Sequence, residues 1–544
     1  MKPASELSPS AHVDTFCRDH LPPREQWPEF EFVSPELRYP ERLNCATALL
    51  EDTSRRYGAD RTCLISPTER WTYGELVRRS NQIAQVLTED LGLVPGQRVL
   101  LRGPNTPWLV ACWFAVVKAG AVVVTTMPML RRAELAKLLD LTATTIVLCD
   151  HRFAEELLDA AVPGVTTVCY GDAGPDDLLA RAATKSGEFT AVDTAADDVV
   201  MLAPTSGTTG TPKATMHFHR DVLAAADTFS AHIVQPRPDD VFTGTPPLGF
   251  TFGLGGLMVF PLRAGAATLL LERPGTDVIE AAVREHGATV LFTAPTAYRA
   301  LLREGKTDVL AKLRRCVSAG EHLPESVWRE VHTRTGIRII DGIGATEMMH
   351  VFISSADDDI LPGATGRAVP GYRAAVLDDA GQPVPDGTAG RLAVIGPTGC
   401  RYLADERQTQ YVRHGWNLTG DIYVRDADGY FWYQGRADDM IVSSGYNIAG
   451  PEVEQALEQH SDVAECAVIG LPDVERGMIV HAAVVLRPDV TGNEEKKREL
   501  ADHVKQILAP YKHPRSIEFR DALPRTATGK LQRHKLREER ASTP

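Results

Sequence analysis

The chain has 544 residues, with 58 Lys and Arg against 72 Asp and Glu, a formal charge of −14, and 43% hydrophobic and 24% charged residues. That balance belongs to a globular protein and argues against disorder, collagen and coiled coil. At roughly 150 residues per domain the length allows about three or four units, and the acidic excess supplies no basic patch for phosphate-backbone contact, so nucleic acid is not an expected partner.

The nine Cys contain no C-x-x-C pair, which argues against a disulfide framework or zinc ribbon and fits a reducing cytoplasm. The N-terminus lacks an apolar signal region, and the most apolar stretch, 108–130, is interrupted by Lys118, Gly120 and Pro128. Neither a signal peptide nor a membrane span is expected.

From about Glu41 the chain alternates helix-period and strand-period segments, the pattern of an α/β protein with mostly parallel sheets. Short β-rich runs predict strands over 98–101, 121–124, 145–148 and 166–168, and helices are expected over 73–91 and 131–139. A polar connection over 188–198 leads to the apolar run 199–202, and a second α/β stretch continues to about Ile340. After Pro362 closely spaced turn signals such as Pro385-Asp386-Gly387 and Asp426-Ala427-Asp428-Gly429 predict a β-rich subdomain. A small unit from near Gly435 closes the chain, with strands over 440–442, 464–469 and 481–485 and a helix over 451–459. We find no internal repeat.

The strongest local signal is Thr205-Ser206-Gly207-Thr208-Thr209-Gly210-Thr211-Pro212-Lys213, directly after an apolar strand. Glycines let backbone N–H groups approach an anion, hydroxyls add donors and the Lys adds a point charge, so the run suits phosphate. It is not a Walker A loop, and neither Gly253-Leu254-Gly255-Gly256 nor Gly342-Ile343-Gly344 completes a dinucleotide fingerprint. His217 and His219 have no third ligand at suitable spacing and read as structural.

This string, with Gly344-Ala345-Thr346-Glu347, Thr419-Gly420-Asp421, Gly435-Arg436-Ala437-Asp438-Asp439 and Pro524-Arg525-Thr526-Ala527-Thr528-Gly529-Lys530, resembles the adenylate-forming (AMP-binding) superfamily of acyl-CoA synthetases, adenylation domains and luciferases. The wording around 213–221 and 341–350 looks most like benzoate-type and 2-aminobenzoate-type CoA ligases. The resemblance implies a large N-terminal domain over 1–434, built from two α/β sheets and the β-rich subdomain, and a small mobile α+β domain over 435–544. It also implies two half-reactions: a carboxylate attacks the α-phosphate of ATP to give an acyl-adenylate and pyrophosphate, then the thiol of coenzyme A displaces AMP.

The resemblance also distributes roles. Thr205, Ser206, Gly207, Thr208, Thr209, Gly210 and Lys213 would grip the phosphates, and Thr346 with Glu347 would hold phosphate and Mg²⁺, with Glu347 the metal ligand. Gly320, Glu321, Asp341 and Gly342 would line the adenine pocket, and Asp421 with Arg436 would meet the ribose. Lys530 would offset the charge that builds up on the α-phosphate in the transition state. Asp438 matches a hinge, and rotation about it would bring Gly445 and Tyr446 to the pantetheine channel. The acyl pocket would draw on Phe250, Phe252, Gly255, Ile343, Met348 and His350, and glycines 253, 255 and 256 could open its floor to a larger alicyclic acid.

Three positions depart from the superfamily wording: Ala214 for the usual Gly, Ile343 for an adenine-stacking aromatic, and Val442 for a frequent Lys. The leading expectation is an AMP-forming aryl-CoA ligase using ATP, Mg²⁺ and CoA, with a homodimer compatible with the sequence. Three alternatives stand beside it: an enzyme that only transfers a preformed acyl-adenylate, a free-standing adenylation enzyme loading a carrier protein in trans, and a non-catalytic nucleotide-binding regulator.

Overall fold

The computed structural model describes residues 7–160, 162–172, 174–206, 212–437, 439, 441–443, 446–473, 476–508, 512–526 and 531–541. Among these the chain is α/β, with two large mixed sheets, an antiparallel sheet and a small C-terminal sheet.

The first large sheet orders its six strands Thr166–Tyr170, Ile146–Asp150, Arg98–Arg102, Val122–Thr125, Val199–Ser206 and Pro212–Phe218 among the described residues. The first five run parallel and only the last pair is antiparallel. The second sheet pairs Ile339–Gly344, Arg315–Ser318, Val290–Thr293, Val241–Gly244, Ala267–Leu270 and Thr62–Ile65 in parallel and is closed at both ends by antiparallel strands. In the first sheet the central strands Arg98–Arg102, Val122–Thr125 and Ile146–Asp150 are buried along their whole length around an apolar run.

Local chemistry explains the helices between them. Helix Tyr73–Gln85 begins at a reciprocal capping box, Thr72 Oγ1 accepting from Glu75 N at 3.2 Å and Glu75 accepting from Thr72 N at 2.8 Å. It runs on through a wider π-turn at Val86–Asp90, so the helical expectation over 73–91 holds almost to its end. Helix Pro107–Lys118 starts on a Thr106 cap with Pro at its first position and is apolar all round, the signature of a buried helix. The ammonium of Lys118 at its end is fully buried against Glu51. Among the described residues no helix is long and apolar enough to cross a membrane.

The turn-rich region forms an antiparallel sheet of Arg373–Leu377, Ala389–Ile395, Trp416–Arg425, Val412–Arg413 and Phe431–Arg436. The C-terminal sheet is built from Tyr446–Ile448, Ile441–Ser443, Gly477–Leu486 and Val463–Asp473, with Ser516–Phe519 added in parallel and helix Gly450–Glu458 packed on its strands. It has its own core, in which Ile441, Val453, Val468, Val484 and Val504 are buried together.

Candidate functional site

In parallel α/β sheets, ligands bind outside the carboxyl ends of the strands, where loops converge. Here the ends of Val199–Ser206, Arg315–Ser318 and Ile339–Gly344 deliver the Thr205 run, Gly320-Glu321 and the stretch from Asp341 to Glu347. The phosphate run is a hairpin rather than a loop after a strand: Thr205 pairs with Lys213 and Ser206 with Pro212 across antiparallel strands. Gly207, Thr208, Thr209 and Gly210 lie outside the described residues. The Oγ1 of Thr205 is buried with no hydrogen-bond partner among the described residues, so a donor is available at the hairpin's base.

Lys213 and Glu347 meet there, with Nζ 3.1 Å from Oε1. Sequence reasoning missed the third member. The hydroxyl of Tyr402 donates to Glu347 and accepts from Lys213, whose ammonium also lies 4.1 Å above the Tyr402 ring. No local pattern announces this residue, because a backbone bridge between Thr215 and Tyr402, far apart in the chain, creates the contact. Burial beside Glu347 holds the phenol well above its ordinary pKa, so it is a neutral donor.

Thr346 begins the turn Thr346–Met348, and its carbonyl accepts from His217 Nε2 at 2.8 Å. Burial lowers His217 to about 3, so the ring is neutral with its proton on Nε2. His217 is therefore structural, as the sequence suggested, and it supports the turn that carries Glu347. A single carboxylate oxygen at a phosphate hairpin fits Mg²⁺, which takes one or two protein carboxylates and completes its shell with phosphate and water. A second group, His460, Asp462 and Glu499, stands in the C-terminal unit, where Lys496 bridges its two carboxylates.

Among the residues expected at the nucleoside, Gly320 has φ +91° and open space where a Cβ would stand. Asp341 has one carboxylate oxygen buried and unpartnered among the described residues, and burial pushes its pKa well up. Gly342 lies against Val351, where a Cβ would come within 2.7 Å. Asp421 and Arg436 face each other in register across adjacent strands, Nη1 to Oδ1 at 3.2 Å. Close by, His322 stacks on Tyr433 at 5.2 Å between ring centroids.

The expected acyl residues are only partly brought together. His350 is buried among Phe229, Phe252 and Phe260, at centroid distances of 5.3, 5.6 and 4.5 Å. Its Nε2 lies 3.4 Å from the Phe252 carbonyl, its Nδ1 has no partner among the described residues, and burial lowers it to about 3. Gly255 touches this ring, and Ile343 is half-buried against the same core. Met348 is buried, its carbonyl accepting from Thr398 Oγ1 at 2.8 Å. Phe250 caps the start of helix Thr251–Leu254 and makes none of these ring contacts.

The glycine floor does not provide the opening that a larger acid would need. A Cβ on Gly253 would strike the Pro247 carbonyl at 2.1 Å, on Gly255 the His350 ring at 2.4 Å, and on Gly256 the Phe292 ring at 2.4 Å. These glycines admit backbone and rings rather than opening space for a bulky acid.

On the C-terminal side, Asp438, Gly445 and Lys530 lie outside the described residues, and of Tyr446 only the backbone pairing with Ser443 is described. The C-terminal sheet and its helices approach the site through Arg525 to Glu321 at 3.9 Å, Arg299 to Glu458 at 3.7 Å and Gln455 donating to Glu325 at 3.2 Å.

The chain is similar over most of its length to known enzymes. Residues 50–402 match the AMP-binding enzyme family and residues 452–530 the AMP-binding enzyme C-terminal domain. A benzoate–CoA ligase of Thauera aromatica is 36% identical over 523 residues, covering 92% of this chain and 97% of the relative. An anthranilate CoA ligase solved with anthranoyl-AMP superposes with a TM-score of 0.87 at 32% identity, covering 93% of this chain and 99% of that one. A benzoate CoA ligase from Burkholderia xenovorans LB400 gives 0.83 at 33% identity, covering 91% and 100%.

Proposed function

Because the chain belongs to the AMP-binding enzyme family, we propose that it is an AMP-forming acid–thiol ligase that converts an aryl carboxylate to its CoA thioester through an acyl-adenylate. The observation that carries this reading is the continuity of one short segment: Asp341 on the nucleoside side, Glu347 beside Lys213 at the phosphate hairpin, and His350 in its aromatic cage. In this reading one short stretch of chain serves both the ring of the acid, at His350, and the phosphates, at Lys213.

In the first half-reaction a carboxylate oxygen bonds to the α-phosphorus while the bond to the bridging oxygen of pyrophosphate breaks. Lys213 and the hairpin donors stabilise the departing pyrophosphate, and Asp421 and Arg436 orient the ribose. Mg²⁺, held by Glu347, would neutralise charge on the phosphate oxygens. Lys530 is assigned the α-phosphate and carboxylate charge. In the second half-reaction the CoA sulfur bonds to the adenylate carbonyl carbon and gives up its proton to solvent, the bond from that carbon to the phosphate oxygen breaks, and AMP leaves as its phosphate anion. We assign the rotation that exchanges these steps to Asp438, between units 1–434 and 435–544, and the thiol's approach to Gly445 and Tyr446.

The filled glycine floor supports a flat aryl acid over a bulky alicyclic one. We assign 2-aminobenzoate or a close relative, with the lone acceptor Nδ1 of His350 facing a donor on the ring. The cytoplasm is the assigned compartment, since all nine cysteines are free and all but Cys169 are buried.

The test is acid-dependent ATP–pyrophosphate exchange over benzoates, aminobenzoates, cinnamates and alicyclic acids, with and without CoA. Exchange with benzoates and thioester on adding CoA is the expected result. In Lys530→Ala exchange should vanish while thioester still forms from a supplied adenylate, and bulk at Gly445 should do the reverse. Silence across the panel, with turnover of a supplied adenylate, would overturn the adenylation half.

A further inference from the structure

We propose that Tyr402 is a positioning residue for the triphosphate and its metal: its hydroxyl, donating to Glu347 and accepting from Lys213, holds both charged groups ready for incoming Mg²⁺·ATP. This deepens the ligase reading above and rests on it for the identity of the ligand.

The backbone around Tyr402 is built to aim one side chain at the hairpin. Leu403 N donates to the Ala214 carbonyl at 2.9 Å and Met216 N to the Arg401 carbonyl at 2.7 Å, so the segment lies as an extra strand on Pro212–Phe218. Side chains alternate across such pairing. Arg401 therefore points into the core, onto Asp221 and the Phe218 ring at 3.9 Å, while Tyr402 points to Lys213 and Glu347. Gln408 secures the segment, accepting from Tyr402 N at 2.9 Å and donating to the Gln26 carbonyl at 2.8 Å. The Tyr411 ring packs edge-on at 5.8 Å. The phenol is thus a rigid, fully buried donor on a braced strand.

Its chemistry suits the place between two opposite charges. Lys213 and Glu347 also form a direct ion pair, Nζ to Oε1 at 3.1 Å, which an arriving anion and cation have to open. A hydroxyl that donates to the carboxylate and accepts from the ammonium keeps one hydrogen bond on each head when Lys213 turns to phosphate and Glu347 to metal. The ring face under Nζ steadies the ammonium further. Of the Tyr402 atoms only the hydroxyl makes both bonds, so deleting it tests the idea without emptying the site.

The experiment is calorimetric titration of the full chain with Mg²⁺·ATP, without acid, for wild type, Tyr402→Phe, Glu347→Gln and the double variant, with pyrophosphate exchange run in parallel. Tyr402→Phe should weaken Mg²⁺·ATP binding roughly tenfold and raise the Mg²⁺ needed for half-maximal exchange. Its effect should largely disappear in the Glu347→Gln background, as expected for residues acting through one contact. Tyr402→His, which retains a ring N–H donor, should recover part of the loss. If Tyr402→Phe does not fold, Tyr402→His must still bind more tightly than Glu347→Gln for the proposal to stand. Unchanged Mg²⁺·ATP binding in Tyr402→Phe, or a loss that adds fully to that of Glu347→Gln, would overturn it. A wild type that binds no Mg²⁺·ATP overturns this proposal and the ligase reading together. Binding without exchange for any acid overturns only the ligase reading.

Discussion

Gly255 packs directly on the ring of His350, so closely that a Cβ at 255 would lie 2.4 Å from Cδ2 and 2.6 Å from Nε2. The ring cannot yield easily, because Phe229, Phe252 and Phe260 enclose it. Gly255→Ala must therefore displace His350 or the Phe260 ring beside it, which the same Cβ would meet at 2.9 Å. Overpacking of this kind costs about 1–3 kcal/mol of stability, and the displaced ring should raise KM for the aryl acid roughly tenfold or more while Mg²⁺·ATP binding changes little. Steady-state kinetics with each substrate varied in turn checks the split. Equal effects on both substrates would refute a role confined to the acid.

Asp421 and Arg436 form the second pair with a separable role. Arg436 also donates to the Thr419 carbonyl at 3.0 Å, which fixes the turn at Gly420, whose φ of +79° an L side chain rarely adopts. Asp421→Asn keeps the shape and removes the charge. A hydrogen bond to a charged acceptor contributes about 1.5–3 kcal/mol, so the substitution should weaken ATP binding by roughly ten- to a hundredfold. The loss should shrink when ATP is replaced by its 2′,3′-dideoxy analogue, which offers no hydroxyl to accept from. A loss of the same size with both nucleotides would remove Asp421 from the ribose.

Much of this site was legible in the sequence for a physical reason. Phosphate cradles, the Thr346-Glu347 turn and the Asp421 to Arg436 pair are local or nearest-strand features, and the residue types that chemistry demands stand close together in the chain. Strand positions were legible too, since buried parallel strands read as uninterrupted apolar runs, as in Val199 to Leu202. Tyr402 was not, because its role depends on a bridge to Thr215 that no local periodicity encodes. The glycine floor stayed open for a related reason: the sequence shows that residues 253, 255 and 256 lack side chains, but not that Pro247, Phe292 and His350 fill the space.

Acid should unfold the protein well before its carboxylates protonate. His217, His219 and His350 are buried and lowered to about 3, and buried His481 to about 4, in each case chiefly by desolvation. An unfolded His binds a proton near pH 6.5 and these do not, so their contribution is fully present above about 6.5 and declines as pH falls toward the folded values. At pH 5 each costs about 2 kcal/mol. Urea unfolding at pH 7, 6 and 5 should show stability dropping steeply over this range, and His219→Gln should flatten part of the slope. A stability that stays level from pH 7 to 5 would contradict the buried neutral rings.

The fully buried pair Arg401 and Asp221 supports the same turn from behind. Both side chains are inaccessible to solvent, and Asp221 Oδ2 lies 3.9 Å from His217 Nδ1, whose other nitrogen holds the Thr346 carbonyl. The guanidinium rests 3.9 Å from the Phe218 ring, with Phe30 at 5.1 Å. Removing one charge leaves the other stranded in the core, which costs about 3–5 kcal/mol, whereas removing both for apolar groups of similar size is often close to neutral. Asp221→Asn should therefore lower stability by an amount of that order, and Asp221→Leu combined with Arg401→Met should recover most of it. The double variant should still bind Mg²⁺·ATP more weakly than wild type, because Arg401 Nε also donates to the carbonyl of Met216, next to His217, at 3.3 Å and Met cannot replace that bond. Denaturant unfolding with nucleotide titration on the same samples separates the two effects. Full recovery of binding together with stability would show that the pair serves the core alone.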